Sequence, residues 1–344
     1  MDYKAAGVDI DAKMETLRRI RGDARSTFTS GVLSDIGSFG GLFRLEPGRF
    51  TDPVLVSSAD GVGTKLKVAF LANRHDTVGG DLVNHCVNDI LVQGAEPLFF
   101  MDYLATGRIE PSVAEAVIGG VARACRDNGC ALLGGETAEM PGFYHEGEYD
   151  IAGFIVGVVE RERLIMGGSI TPGDVLLGVP STGLHTNGYS LAREILFNQL
   201  GRRIEVRTDG MRGTLGDELL RTHTLYLPLI RKVRTHLKIK GIAHITGGGL
   251  MDNIPRVLPE GLDAEIQLGT WTVSPLFQLL ASAARIKNEE LHQVFNMGIG
   301  MVLIVAAKDT EKTIQLTRGK IIGKIVKGNR QVVLKEPVKK SLKK

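Results

Sequence analysis

Hydrophobic and polar positions along this chain follow two alternating rhythms. Short apolar runs of strand length lie at Val54–Ala59, Leu98–Ala105, Ala131–Leu133 and Ile151–Val159. Between them, apolar residues recur at helical spacing over Leu66–Ala72, Asp81–Val92 and Ser112–Asp127. In the last of these Val113, Val117, Val121 and Cys125 make one face. A helix over Ala12–Arg21 and a loop rich in Gly, Ser and Thr, Ser26 to Gly41, come first. Thr171-Pro-Gly-Asp174 is a strong turn signal that opens a second unit. There the pattern predicts strands at Val175–Val179, Ile242–Ile245, Gly300–Ala306 and Ile321–Val326. It predicts helices from Leu191, near Tyr226–Val233, over Pro275–Arg285 and over Glu311–Thr317. The expected fold is α/β (α+β), with two mixed domains over residues 1–170 and 171–344.

Composition narrows the class. A chain of 344 residues, 43% hydrophobic and 24% charged, suits a soluble globular protein with two cores. The net charge of +3 is too small to suggest a nucleic-acid partner, and much of it sits in the tail Lys335–Lys344. Cys86, Cys125 and Cys130 lie in apolar patterns without a CxxC pair, so reduced thiols in a cytoplasmic protein are expected. The polar N-terminus has no signal-peptide core, and the apolar run Ile299–Ala307 is far below membrane-spanning length.

Candidate chemistry begins at Asp60-Gly-Val-Gly-Thr-Lys65, where the run Val54–Ala59 ends. Gly61 and Gly63 let backbone N–H groups approach phosphate oxygens, Lys65 brings positive charge, and Asp60 can hold a cation. The GxxxxGK[ST] spacing is absent. A plain turn between strand and helix has equal weight.

No Lys or Arg occurs between Arg74 and Arg108, an interval that holds Asp76, Asp81, Asp89, Glu96 and Asp102. On the helix over Asp81–Val92, residues Asp81, His85, Asn88 and Asp89 share the polar side. Such a face is either solvated or shares a cation with another acidic element, and oxygen ligands favour Mg²⁺. Gly134-Gly-Glu-Thr-Ala-Glu-Met-Pro-Gly142 follows a second short strand and presents Glu136 and Glu139. Asp60, Asp89 and Glu136 then either converge on one metal–nucleotide crevice or stand apart, with Glu136 in a simple turn.

In the second half, Ser181-Thr-Gly-Leu-His-Thr-Asn-Gly-Tyr-Ser190 links a strand to a helix and is rich in hydroxyl and amide groups. It reads as a phosphate loop or as a helix cap. His244-Ile-Thr-Gly-Gly-Gly249, then Asn253-Ile-Pro-Arg256, repeats the theme, with Arg256 able to clamp a phosphate. Trp271 reads as packing.

Taken in order, these motifs with Tyr3-Lys-Ala-Ala-Gly-Val-Asp-Ile-Asp11 and Val87–Phe100 resemble the phosphoribosylformylglycinamidine cyclo-ligases, or aminoimidazole ribonucleotide synthetases, of purine biosynthesis. The resemblance runs from about Tyr3 to Val333. It implies a homodimer whose N-terminal sheets form an intersubunit barrel, with ATP near the interface. It also implies that ATP and Mg²⁺ activate the formyl amide oxygen of formylglycinamidine ribonucleotide for ring closure, and it leaves a need for K⁺ open. By resemblance, Asp60, Asp89 and Glu136 hold the metal. Gly61, Gly63, Thr64, Lys65, Asn88, Gly134, Gly135 and Thr137 complete the nucleotide site. Ser181, Gly183, His185, Thr186, Asn187, Gly188, Thr246, Gly247, Gly248, Gly249, Asn253 and Arg256 face the ribonucleotide. His185 and His244, with Lys65, are the catalytic candidates.

Two places depart from the family pattern. Arg21 stands where a nucleotide-linked lysine is expected, and the Thr27–Gly41 loop, a flap candidate, is less rich in glycine. The alternatives are another ATP-using enzyme of this fold, kinase-like or selenophosphate-synthetase-like, and a non-catalytic nucleotide-binding protein. No Cys precedes Cys86, which weighs against the synthetase.

Overall fold

The computed structural model describes residues 10–336. The Tyr3–Asp9 part of the first motif and the tail beyond Glu336 lie outside the described residues. The chain divides into two compact units. The first holds residues up to Leu164 together with Ile204–Val206 and Gly213–Leu225, and the second holds the remainder. The stretch 213–225, expected in the second domain, therefore belongs to the first.

In the first unit, α1 (Ile10–Arg25) precedes β1 (Pro53–Gly61), α2 (Lys65–Ala72), α3 (Val78–Leu91), β2 (Glu96–Thr106), α4 (Pro111–Asn128), β3 (Ala131–Glu139) and β4 (Tyr149–Glu160). The four strands lie in the order β1-β4-β2-β3. Strand β4 is antiparallel to β1 and β2, while β2 and β3 are parallel and joined through α4. One face of the sheet is covered. Leu82, Val83, Cys86, Val87 and Ile90 of α3, with Val117, Val121 and Cys125 of α4, are buried alongside Phe100 and Ile155. Each fully buried Leu or Ile contributes roughly 1.5–3 kcal/mol. The two helices meet at Gly79, where a Cβ would lie 2.3 Å from the Val117 carbonyl oxygen, so no larger residue fits there. Helix α4 begins at Pro111 and stops at Gly129, whose φ of 66° lets the Gly129 and Cys130 N–H groups close back on Arg126 and Cys125.

The second unit carries β5 (Val175–Pro180), β6 (Gly241–His244), β7 (Leu262–Gln267), β8 (Ile299–Val305), β9 (Lys320–Lys327) and β10 (Val332–Lys335). Their order is β10-β7-β9-β5-β8-β6. Leu176, Ile245, Leu250, Ile254, Ile266, Trp271, Val302, Ile304 and Ile325 build its core. Because β8 runs antiparallel to both β5 and β6, the exits of β5 and β6 lie beside the entry to β8 at one end of the sheet.

Candidate functional site

Strand β1 delivers Asp60 and α3 delivers His85 and Asp89 to the same spot in the first unit. His85 Nε2 lies 2.9 Å from Asp60 Oδ2 and 3.7 Å from an Asp89 carboxylate oxygen. Ser58 Oγ donates to Asp89 Oδ2 at 3.0 Å, and the Gly61 N–H donates to Asp60 Oδ1 at 2.7 Å. His85 is buried, whereas the Asp60 and Asp89 side chains are 43% and 25% exposed, so both carboxylates keep an open side. Burial works to raise the Asp60 pKa, yet the His85 hydrogen bond and charge outweigh it, and the carboxyl titrates below its ordinary value. Burial likewise opposes charge on His85, and the two aspartates overcome it and raise its pKa. Two anionic oxygen donors, side by side and partly open, fit a hard divalent cation such as Mg²⁺. The Gly61–Thr64 loop follows directly, with Gly63 at φ 58° and exposed beside Thr64 at the start of α2.

The rest of the polar side of α3 is neither solvated nor open to a cation. It is covered by chain from about 140 residues downstream. Asp81 Oδ1 accepts the His223 N–H at 2.7 Å, Asn84 Nδ2 donates to the His223 carbonyl at 2.8 Å, and Asn88 Nδ2 donates to the Thr224 carbonyl at 2.8 Å. Lys65 Nζ donates to Asp81 at 2.8 Å and to the Arg221 carbonyl at 2.7 Å, with no exposed surface on either ionic side chain.

Strand order decides the place of Glu136. Asp60 lies in the row Asp60–Gly153–Asp102–Gly135 on the helix-covered face. Glu136 falls in the next row, opposite Tyr103, on the other face at the β3 edge, and is exposed. Three strand spacings, about 14 Å, separate the β1 and β3 edges. Glu139 Oε1 accepts the Ile109 N–H at 2.8 Å and ties β3 to the loop before α4. Thr137 lines a cavity of about 430 Å³ with Leu104, Thr106, Ile109, Val113 and Tyr149. The cavity does not include Asp60 or Asp89.

In the second unit the loops after β5 and β6 face one another, and a Cβ on Gly247 would sit 3.2 Å from Asn187 Oδ1. His185, at φ 61° and buried, accepts the Thr182 N–H on Nε2 at 3.3 Å. Gly248 and Gly249 have φ of 92° and 55°, and a Cβ on Gly249 would lie 1.9 Å from the His292 carbonyl oxygen. Gly248 and Gly249 are thus set by backbone shape. Asn253 Nδ2 donates to the carbonyls of Thr246, Gly247 and Gly249 at 3.4, 3.1 and 2.8 Å. His244 ends β6 opposite Met301 and is buried, and Arg256 is exposed in a short turn of helix.

Known proteins agree with this layout. The sequence matches the family described as AIR synthase related protein, its N-terminal domain over residues 43–159 and its C-terminal domain over 171–336. A phosphoribosylformylglycinamidine cyclo-ligase from Alkaliphilus metalliredigens is 49% identical over 97% of this chain and 98% of its own. The same enzyme from Trichlorobacter lovleyi is 53% identical over 92% of this chain and 91% of its own. The chain belongs to the phosphoribosylformylglycinamidine cyclo-ligase family. Among solved structures, a thiamine-monophosphate kinase from Stenotrophomonas maltophilia superposes with a TM-score of 0.65 at 18% identity, covering 94% of this chain and 96% of its own. The hydrogenase maturation protein HypE in complex with ATP gives 0.64 at 16%, covering 93% and 89%. These two share the fold.

Within this cyclo-ligase framework several expected roles need correction. Lys65 is not a phosphate-facing charge, because its ammonium is sealed against Asp81. The Asn88 and Asn253 side-chain amides donate to backbone carbonyls and so brace the segments around them. Glu136 does not share an ion with Asp60 and Asp89 inside one chain, because it occupies the far edge and the opposite face. His185 lies inside its loop, where its Nε2 accepts the Thr182 N–H. Arg21 bonds Asp35 of the flap at 2.9 Å, and Arg25 bonds the same carboxylate. His85, which the sequence placed on the polar side of α3 as a hydrogen-bonded histidine rather than a ligand, makes that bond to Asp60. The signal in the sequence is its i,i+4 spacing to Asp89.

Proposed function

We propose that this chain closes the imidazole ring of aminoimidazole ribonucleotide from formylglycinamidine ribonucleotide, with ATP converted to ADP and phosphate. The observation that carries this reading is the Asp60–Asp89 pair pinned by His85, in a chain about half identical to cyclo-ligases over almost its whole length. The γ-phosphoryl group of ATP moves to the formyl amide oxygen, a poor leaving group made good. The amidine nitrogen attacks the same carbon, the C–O bond breaks and phosphate departs. Such a reaction asks the protein mainly for positioning and charge offset.

In this reading Asp60 and Asp89 hold Mg²⁺, which offsets phosphate charge when bound. His85 fixes the two carboxylates from beneath. Gly61, Gly63 and Thr64 run along the phosphates. The loops Ser181–Gly188 and Thr246–Gly249, with Arg256, take the ribonucleotide. The kinase-like, selenophosphate-synthetase-like and non-catalytic alternatives are not favoured, given the full-length identity to cyclo-ligases.

A homodimer belongs to the proposal. Leu55, Met101, Tyr103 and Phe154 are 59%, 37%, 41% and 43% exposed on the uncovered face of the first sheet. Among the described residues β1 pairs only with β4 and β3 only with β2, so both edges are open to a second copy. Pairing β3 with the first strand of the partner closes an eight-stranded barrel and sets Glu136 beside that strand. A cytoplasmic location accords with the three free, buried thiols. Among the described residues no helix is long and apolar enough to cross a membrane.

Incubation with formylglycinamidine ribonucleotide, ATP and Mg²⁺, with and without K⁺, tests the reading. ADP and the aminoimidazole product should form together. Folded protein that yields neither would sink it.

A further inference from the structure

We propose that Asn296, with the turn Asn296–Gly298 that carries it, is a positioning residue for the Ser181–His185 loop and so for the ribonucleotide. The inference rests on the proposal that this loop takes the substrate. Asn296 is 4% exposed and its amide works in both directions. Its Oδ1 accepts from Ser181 Oγ at 3.0 Å and from the Gly298 N–H at 2.9 Å. Its Nδ2 donates to the Gly183 carbonyl at 2.8 Å. The Ser181 N–H in turn donates to the Gly298 carbonyl at 2.9 Å. Strand exit, loop and turn are therefore tied into one ring, with the amide of Asn296 supplying both the acceptor and the donor at its centre.

The turn itself is held in an unfavourable shape. Met297 adopts φ 48° and Gly298 φ 93°. A non-glycine residue in that region is costly and persists only where its surroundings over-determine it. The Trp271 indole is what fixes it, because Nε1 donates to the Met297 carbonyl at 2.9 Å in the buried core. The far end of the loop is strained in the same way, with His185 at φ 61°. Gly300 leaves the room this requires, since a Cβ there would lie 2.5 Å from His185 Cε1 and 2.1 Å from the Tyr226 hydroxyl. That hydroxyl donates to the Pro180 carbonyl at 2.7 Å and fixes where the loop begins. Strain at both ends, braced from outside, is the signature of a loop held in shape for a ligand.

Asn296→Asp keeps the acceptor and replaces the donation to Gly183 by repulsion between oxygens. Trp271→Phe removes the donor to Met297 together with part of the indole packing, which the thermal midpoint reads separately. The experiment measures KM for each substrate, kcat and the thermal unfolding midpoint of both variants. Asn296→Asp should raise KM for formylglycinamidine ribonucleotide about tenfold or more, and Trp271→Phe about threefold, with KM for ATP within about twofold of wild type. Unchanged KM for the ribonucleotide in folded variants, or equal rises for both substrates, overturns the inference. If Asn296→Asp does not fold, Trp271→Phe decides alone. A wild-type protein that fails to turn over overturns the proposed function instead, and the two failures are thereby distinct.

Discussion

The Lys65 ammonium and the Asp81 carboxylate lie 2.8 Å apart with neither side chain exposed. Burial draws both toward neutrality and each opposes the shift of the other; the net result is a lowered Lys65 pKa and an Asp81 carboxyl lifted to about 6. The pair fastens α2 to α3, and through the Arg221 carbonyl and the His223 N–H it fastens the 213–225 segment to both.

Lys65→Met should therefore act on stability before it acts on chemistry. Removing one member of a buried pair costs about 3–5 kcal/mol, whereas exchanging both for apolar residues of similar size costs much less. Urea unfolding of Lys65→Met, Asp81→Leu and the double variant checks this. If the single and double variants lose equal stability, the two groups are not coupled.

Asp60→Asn tests the carboxylate pair. The amide retains the size and the contact with His85 but halves the negative charge offered to a cation. Turnover should fall by about 10²-fold or more, and the Mg²⁺ concentration for half-maximal rate should rise. The thermal midpoint should stay near that of wild type. Normal turnover at the usual Mg²⁺ concentration would remove Asp60 from the proposed metal site.

Much of this site was legible from local pattern, and the remainder was not, for one physical reason. Asp60 at the end of an apolar run and Asp89 on a helix with a clear stripe both follow from periodicity. Whether two acidic residues meet depends on strand order, which is a non-local property. In the sequence Glu136 follows a short apolar run as Asp60 does, but β3 runs on through Glu139, and the order β1-β4-β2-β3 sends the two residues to opposite edges. The same blindness turned the polar side of α3 into a candidate cation face, because nothing nearby in the chain announces that Arg221–Thr224 will cover it. Strands β7 and β10 also escaped: Leu262–Gln267 carries the alternation of a half-buried strand but lacks a continuous apolar run, and Val332–Lys335 is only four residues long. Loop glycines were the clearest signals, because positive φ and close backbone approach leave few other choices.

Asp102 predicts a pH dependence of stability. It sits on the covered face opposite Gly135, where a Cβ would lie 2.4 Å from its Oδ1, and burial pushes its carboxyl up to about 7. An unfolded aspartate titrates near 3.9. Between those values the folded chain binds the proton that the unfolded chain has released, so stability falls as pH rises from about 4 to about 7 and then levels. Each unit of displacement is worth about 1.4 kcal/mol. Asp102→Asn, neutral throughout, should gain on wild type steadily across that window. Urea midpoints of both proteins at several pH values between 4.5 and 8 provide the check. A constant difference between them would mean that Asp102 is not protonated in the folded chain.

Phe154 tests the second copy. It lies on the uncovered face of the first sheet, paired with Ala59 on one side and Met101 on the other. With Leu55 and Tyr103 it forms an apolar surface that water covers poorly in a lone chain. Placing a charge at such a position costs little in a monomer, where the group is solvated. It costs several kcal/mol in a closed barrel, where the charge would be buried without a partner. Phe154→Glu should therefore leave the unit folded, with its thermal midpoint lowered only by the lost association, and should shift sedimentation from dimer to monomer at micromolar protein. A wild-type chain that sediments as a monomer, or a variant that remains dimeric, would mean that a second copy does not cover this face. The variant should also lose turnover, because ATP in this proposal lies near the barrel interface. Full activity in a proven monomer would uncouple the carboxylate pair from the dimer.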